Sequence, residues 1–259
     1  MPVSVGAVVC RLDELEFGKI AYEVMGHVFA VHREFGRLLD EKVYQRELAR
    51  RCGGMYEVPV EVVHRDFRKR YFLDLLVADG ALFELKAVDL LIDRHRSQLL
   101  NYLLLTNLTH GKLVNLRSES VQHEFVNTTL TLQDRTSFAI DEASWTGPSR
   151  LKDAVTEMLR DLGAGLDIAL YEEATLCLMN GNDDVSCSVP IISAGQQVGL
   201  HSLPFAAPDA PFQFSAMRAE DRPRYATHLS RFLAHTNLPN LHWINVTRDL
   251  VSFITIHRT

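Results

Sequence analysis

The chain has 259 residues, of which 47% are hydrophobic and 23% are charged, with 14 Gly and 9 Pro. These values are ordinary for a globular protein, and they exclude a disordered, collagen-like or low-complexity chain. The formal net charge of −6 does not indicate a general affinity for polyanions. At about 150 residues per domain, the length predicts one large domain or two small ones.

The compartment is predicted from hydropathy and cysteine spacing. No apolar stretch approaches the ~18–20 residues that span a bilayer, and no basic region precedes the apolar run near the N-terminus. We therefore expect neither a membrane contact nor secretion. The four cysteines have no CxxC or zinc spacing, which suits a reducing compartment. We expect a cytoplasmic protein.

Hydrophobic periodicity predicts a compact α/β unit in the first half of the chain. In chain order the predicted elements are two helices, a three-stranded meander, a third helix and a short strand, over residues 13–33, 38–51, 57–88, 93–105 and 112–116. The polar stretch over residues 141–148 predicts a domain boundary.

The last two strands of the meander carry the first candidate site. Glu84 and Lys86 are two residues apart, so on a strand they project from the same face. If residues 78–80 form a three-residue loop, Asp74 lies opposite Glu84 and joins them. Two adjacent carboxylates suit a hard cation such as Mg²⁺, and a lysine can hold a water or stabilise charge on a phosphate. An exposed cross-strand ion pair is the alternative interpretation.

Helical pairs and a basic cluster accompany this hairpin. Gln98 and Tyr102 are four residues apart on one predicted helix, and Glu41 and Tyr44 are three apart on an earlier one. Basic residues on the segment leading into the hairpin are predicted to contact nucleic-acid phosphates: Arg65, Arg68, Lys69 and Arg70. A solvated strand edge is the alternative for this cluster.

From Ala21 to Leu116, these motifs in this order resemble the GxxExxY proteins, small bacterial members of the PD-(D/E)xK nuclease superfamily. Leu38 stands where the name motif has its first glycine. The resemblance implies a restriction-endonuclease-like core, a mixed sheet flanked by helices, in which Asp74 and Glu84 bind Mg²⁺ or Mn²⁺. It also implies that Lys86 assists the attacking water and that Glu41 completes the metal shell. Gln98 and Tyr102 would support the geometry of the site.

The second half of the sequence repeats the first. Four segments match in the same order: residues 161–174 with 34–47, 188–192 with 57–61, 210–217 with 81–88, and 232–238 with 102–108. We therefore predict a tandem duplication, with a nuclease-like domain over residues 1–143 and a second copy over residues 144–259. We expect the two copies to pack as a pseudo-dimer within the chain.

The second copy lacks the candidate chemistry. In the second copy, Pro204 matches Asp74, Gln213 matches Glu84 and Ser215 matches Lys86. Ile168 matches Glu41, His228 matches Gln98 and Phe232 matches Tyr102. These residues do not supply the anionic oxygens that a hard cation needs. We expect the second copy to fold and to be inactive.

The leading hypothesis is a Mg²⁺-dependent nucleic-acid phosphodiesterase that is active in the first copy only, with DNA as the expected partner. Two alternatives stay open. One is a non-catalytic module on a nuclease scaffold that binds nucleic acid or protein. The other is a metal-dependent hydrolase of a different phosphate ester.

Overall fold

The computed structural model describes residues 2–181 and 186–258. The chain divides into two compact units. The first unit holds the chain up to Val62 together with Lys69–Leu132, and the second holds Val63–Arg68 and the chain from Gln133 onward. The predicted boundary at residue 144 falls at the end of a strand of the second unit, Ala139–Ser144.

The first unit is a six-stranded mixed sheet with three helices. Its elements are β1 (Val3–Val5), α1 (Glu14–Phe35), α2 (Glu41–Cys52), β2 (Met55–His64), β3 (Phe67–Val77), β4 (Ala81–Lys86), α3 (Asp93–Thr106), β5 (His110–Asn115) and β6 (Gln122–Asn127). The strands lie in the order β1-β2-β3-β4-β5-β6. β4 and β5 are parallel, whereas β3 pairs antiparallel with β4, and β5 antiparallel with β6. This architecture confirms the predicted fold class, a mixed sheet flanked by helices.

Local sequence explains the first two helices. Asp13 begins α1 with a capping box, in which its side chain accepts a hydrogen bond from the backbone N–H of Glu16. The apolar residues of α1 recur at helical spacing, and they are buried against α2, β4 and β5. α2 begins at Glu41 rather than at residue 38, because Asp40 has an extended backbone (φ −69°, ψ 148°).

The β3–β4 hairpin has the predicted three-residue loop. Val77 pairs with Ala81, and Leu75 pairs with Phe83, so the same register places Asp74 opposite Glu84. Gly80 is required in this loop, since a Cβ at this position would lie 2.4 Å from the carbonyl oxygen of Cys10.

The second unit contains a four-stranded sheet, a separate hairpin and its own helices. Its elements are α4 (Leu132–Thr136), β7 (Ala139–Ser144), α5 (Ser149–Leu162), α6 (Ile168–Asn180), β8 (Ser186–Ser193), β9 (Gln196–Pro204), β10 (Phe212–Ser215), α7 (Arg222–Ala234), β11 (Asn240–Val246) and β12 (Leu250–His257). The sheet has the order β10-β11-β12-β7, and β8 pairs antiparallel with β9. Its core includes Trp243, Leu233 and Phe205.

The two units have a similar order of elements. From α1 in the first unit and from α5 in the second, the chain forms two helices, two strands of a hairpin, a third strand, a helix and two final strands. The third and fourth of these strands are parallel in both units, and the fourth and fifth are antiparallel.

In the part of the chain that the structure describes, no helix is long and apolar enough to cross a membrane.

Candidate active site

Strand alternation brings the hairpin residues to one face of the sheet. Leu75 and Phe83 belong to the core formed with α1 and α2. Because side chains alternate along a strand, Asp74, Glu84 and Lys86 project from the opposite face. Glu84 is fully buried, and Asp74 and Lys86 are each 8% exposed. The candidate site is therefore largely removed from solvent.

Lys86 lies among three carboxylates. Its Nζ is 2.6 Å from Glu84 Oε1, 3.7 Å from Asp74 Oδ2 and 3.8 Å from Glu41 Oε1. Glu41 comes from the first turn of α2, and its side chain is 34% exposed. The structure thus brings together the four ionisable residues that the sequence pattern selected, from one helix and two strands.

Gln45 contacts the candidate site, and the sequence motifs did not identify it. It is one helical turn after Glu41 on α2, and its Nε2 donates a hydrogen bond to Asp74 Oδ1 at 2.9 Å. The backbone N–H of Leu85 donates to Asp74 Oδ2 at 2.8 Å. These two donors fix the Asp74 carboxylate. The i, i+4 spacing from Glu41 was the available sequence signal for Gln45.

Gln98 and Tyr102 form a pair on α3. Gln98 Nε2 donates a hydrogen bond to the Tyr102 hydroxyl at 3.0 Å, and the Tyr102 ring makes an edge contact with Tyr71. Burial, together with the charges of Glu84 and Asp74, raises the pKa of Tyr102 to about 12. The phenol therefore lies close enough to the carboxylates to sense their charge.

Burial and crowding alter the pKa of both hairpin carboxyl groups. Burial raises the pKa of Glu84 to about 8, and the charge of Asp74 adds to this increase. Burial likewise raises the pKa of Asp74 to about 6, although the Lys86 charge opposes the shift. For Lys86, burial favours a lower pKa, but the surrounding carboxylates outweigh it and the pKa is raised. The positive charge of Lys86 reduces the electrostatic repulsion between these acidic groups when they are ionised.

The donor set suits a hard divalent cation. Glu84 Oε2 is buried, and it has no hydrogen-bond partner among the described residues. An ionised Glu84 would leave this buried oxygen without a donor, which is costly, and a cation would remove this cost. Within the described residues, no three His, Cys, Asp or Glu side chains are arranged to hold a metal ion by themselves. Mg²⁺ needs fewer protein ligands, because it commonly binds one or two carboxylates and retains several waters.

The basic cluster is spread around the β2–β3 turn. Arg65 forms an ion pair with Glu157 of α5, and Arg70 lies 3.4 Å from Glu61. Lys69 Nζ lies 5.4 Å from the centre of the Tyr71 ring. Arg68 is exposed near the start of β3. Arg65 and Arg70 are thus already engaged with carboxylates.

In the second unit, neutral hydrogen bonds form at the residues that the predicted sequence match pairs with Glu84 and Lys86. Gln213 Nε2 donates to the Tyr225 hydroxyl at 2.6 Å. Ser215 Oγ donates to Asn245 Oδ1 at 2.7 Å and accepts from Trp243 Nε1 at 2.8 Å. This network contains no ionisable carboxylate or ammonium group.

Comparison with known protein families gives a match within the first unit. Residues 18–127 match the family model of the PD-(D/E)XK nuclease superfamily. The match contains Glu41, Asp74, Glu84, Lys86, Gln98 and Tyr102, and it ends at the last residue of β6. No curated protein and no solved structure gives a significant match to the chain.

Proposed function

We propose that the first unit is a metal-dependent nucleic-acid phosphodiesterase. The observation that carries this proposal is the buried Lys86 ammonium among the carboxylates of Glu41, Asp74 and Glu84. This cluster lies within the segment that matches the nuclease superfamily. A solvated ion pair requires only one acid and one base at the surface. Phosphate hydrolysis uses carboxylates to bind a cation and an ammonium group to stabilise negative charge.

Asp74 and Glu84 would hold Mg²⁺ or Mn²⁺, and Glu41 would complete the set of acidic ligands. The unpartnered Glu84 Oε2 supports this assignment. When bound, the cation would lower the pKa of a bound water and neutralise phosphate charge. Gln45 holds Asp74 in place through its hydrogen bond to Oδ1, as outer-shell residues do in metal sites.

The remaining residues would position the reactants. Lys86 would hold the attacking water next to the phosphate, because its ammonium is fixed by Glu84 at 2.6 Å. Gln98 and Tyr102 would shape the wall of the site through their mutual hydrogen bond. The basic cluster would contact backbone phosphates, with DNA as the expected substrate: Arg65, Arg68, Lys69 and Arg70.

We also propose that the chain is a tandem duplication whose second copy, over residues 144–259, has lost the chemistry. One repeated hydrogen-bond pattern supports this. Tyr44 donates to the carbonyl of Gly36 and accepts from the N–H of Leu39. In the second unit, Tyr171 makes the same two bonds to Gly163 and to Leu166.

A second repeated pattern lies beside the candidate site. Asn115 accepts from the N–H of Val88 and donates to its carbonyl, and Asn245 makes the same pair of bonds with Met217. These contacts connect the strand after the helix to the end of the third strand in each unit. Their recurrence, with the repeated element order, favours common descent of the two halves over convergence. The pseudo-dimeric packing and the cytoplasmic location stay predictions.

The function is tested by incubating the purified chain with labelled single- and double-stranded DNA and RNA, in Mg²⁺, in Mn²⁺ or in EDTA. We expect cleavage that requires a divalent cation. Glu84→Gln and Lys86→Ala should abolish cleavage, because the first removes an anionic ligand and the second removes the buried cation. Glu23→Gln, on the exposed face of α1, is the matched control and should cleave like the wild type.

Two other outcomes would point to the alternatives. Cation-independent binding of nucleic acid without cleavage would favour a non-catalytic module. Hydrolysis of a small phosphate ester, with no activity on nucleic acids, would favour a different metal-dependent hydrolase. Glu84→Gln protein that cleaves as well as the wild type would contradict the assigned site.

A further inference from the structure

His95 shares a helix face with two residues of the candidate site. It lies in the first turn of α3, three residues before Gln98 and seven before Tyr102, so all three lie along one side of the helix. The Tyr102 end of this face senses the charges of Glu84 and Asp74. His95 therefore lies at the beginning of the helix face that borders the carboxylates.

The backbone fixes the chemical form of the His95 ring. The N–H of Ile92 donates to His95 Nδ1 at 3.2 Å, and the N–H of His95 donates to the carbonyl of Ile92 at 2.9 Å. A backbone N–H can only donate, so Nδ1 must be an acceptor. The neutral ring consequently carries its proton on Nε2. A protonated Nε2 cannot bind a metal, but it can donate a hydrogen bond to an anionic oxygen.

The charges of the site act on this ring. Burial lowers the pKa of His95, the positive charges of Lys86 and Arg94 lower it further, and the charge of Glu41 raises it. Lys86 lies on β4 and Glu41 on α2, so charges from two elements of the candidate site act on the ring. Its side chain is partly exposed, as a residue that contacts a ligand must be.

The second unit shows how far a side chain at this position reaches. The match between residues 232–238 and 102–108 extends along the helix and pairs His95 with Tyr225. The Tyr225 hydroxyl accepts a hydrogen bond from Gln213, which occupies the place of Glu84. A side chain at this helix position can therefore meet the central residue of the third strand. In the first unit, the residue at this position is an imidazole with a donor.

We infer that His95 contacts the substrate, with its Nε2–H donating a hydrogen bond to a phosphate oxygen of the nucleic acid held next to Glu84 and Asp74. This inference rests on the proposed nuclease function. A neutral donor is suited to this place, because it adds a phosphate contact without a further cation competing for the carboxylates. No proton is transferred, and the ring stays neutral throughout.

Two substitutions separate this role from helix capping. His95→Asn keeps an acceptor near the place of Nδ1 for the N–H of Ile92, and it removes the Nε2 donor. His95→Gln keeps an N–H donor near the place of Nε2, and it loses the cap. His27→Ala, at an exposed histidine of α1, is the control. Each protein is assayed for kcat and KM on labelled DNA and for the thermal shift that Mg²⁺ produces.

We expect His95→Asn to lower kcat/KM by about 10- to 100-fold, as the loss of a hydrogen bond to a charged group predicts. The Mg²⁺-induced thermal shift should be unchanged, and His95→Gln should recover part of the activity. Full activity in His95→Asn would overturn the inference while the nuclease function stands. Greater damage in His95→Gln than in His95→Asn would assign His95 to capping alone.

A binding measurement keeps the two proposals distinguishable. In protein labelled with ¹⁵N-histidine, the Nε2 resonance of His95 is followed while a single-stranded DNA oligonucleotide is added in Ca²⁺. A shift that is absent from His95→Asn supports the contact even if cleavage is not observed. Binding without any shift overturns it. If the wild type neither binds nor cleaves any nucleic acid, the nuclease function fails, and this inference fails with it.

Discussion

Glu84 is a carboxylic acid with no exposed surface, one lysine partner and a second acid as its neighbour. Burial raises its pKa to about 8 from an ordinary value of 4.5. The folded protein without metal therefore retains a proton that the unfolded chain releases. The corresponding stability is fully present below about pH 4.5, and it is lost as the pH rises through about 8.

We accordingly expect the free energy of unfolding in EDTA to decrease between about pH 5 and about pH 8 more steeply in the wild type than in Glu84→Gln. Urea unfolding at several pH values measures this difference. Because Mg²⁺ binds the ionised carboxylate, its stabilising effect should increase over the same range. Equal slopes in the two proteins would mean that Glu84 does not titrate as its burial requires.

Gln45 acts on the site through Asp74. Its amide donates to Asp74 Oδ1 at 2.9 Å, and the side chain is 3% exposed. We expect Gln45→Ala to weaken the apparent affinity for Mg²⁺ by about 10-fold or more, as the loss of an outer-shell partner does. Titration of Mg²⁺ followed by thermal stability measures the effect. An unchanged affinity would show that the Leu85 N–H suffices to orient the carboxylate.

A tyrosine hydroxyl bonds the connection between α1 and α2 in the first unit, and another bonds the connection between α5 and α6 in the second. The Tyr44 hydroxyl bonds Gly36 and Leu39 at 2.7 and 3.3 Å. Leu38, in place of the motif glycine, does not adopt a positive φ, whereas Gly165 at the matching position has φ +87°. The tyrosine therefore makes the same two hydrogen bonds in both units, although the backbone that precedes it differs in conformation.

If these tyrosine hydrogen bonds are structural, Tyr171→Phe should lower the free energy of unfolding by about 1–3 kcal/mol, since it leaves buried backbone groups without their partner. Tyr44→Phe should lower it by about 0.5–1.5 kcal/mol, because its hydrogen bonds are only partly buried. Circular dichroism during urea unfolding measures both, and tryptophan fluorescence reports the second unit, where Trp145 and Trp243 lie. Tyr22→Phe is the control, because Tyr22 is 83% exposed. A negligible effect in one unit alone would argue against equivalent roles.

Across the whole molecule, the proposed chemistry is asymmetric between two units of similar element order. Gln213 and Ser215 are bound to neutral partners in the second unit. We expect Gln213→Ala to cleave nucleic acid within about twofold of the wild-type rate, because this residue touches no reacting group. Loss of cleavage in a protein that unfolds like the wild type would contradict an inactive second copy.

The strand-based part of the site could be predicted from the sequence, because strand alternation and loop length are local properties. A three-residue loop was sufficient to place Asp74 opposite Glu84, and the spacing of two placed Lys86 on the same face. The helix pair Gln98 and Tyr102 was equally local, since one turn separates its members. The element order from α1 to β5 followed from the change between the two hydrophobic periods, whereas the edge strands β1 and β6 were not predicted.

Contacts between distant segments were decided only by the tertiary structure. Gln45 and Asp74 are 29 positions apart, and the pairing of Arg65 with Glu157 spans 92. No periodicity encodes such pairs, because they depend on how helices pack against the sheet and on how the chain folds back on itself. The sequence by itself determined which acids and which lysine face one another. The fold decided how deeply they are buried, and this burial raises the pKa values of Asp74 and Glu84.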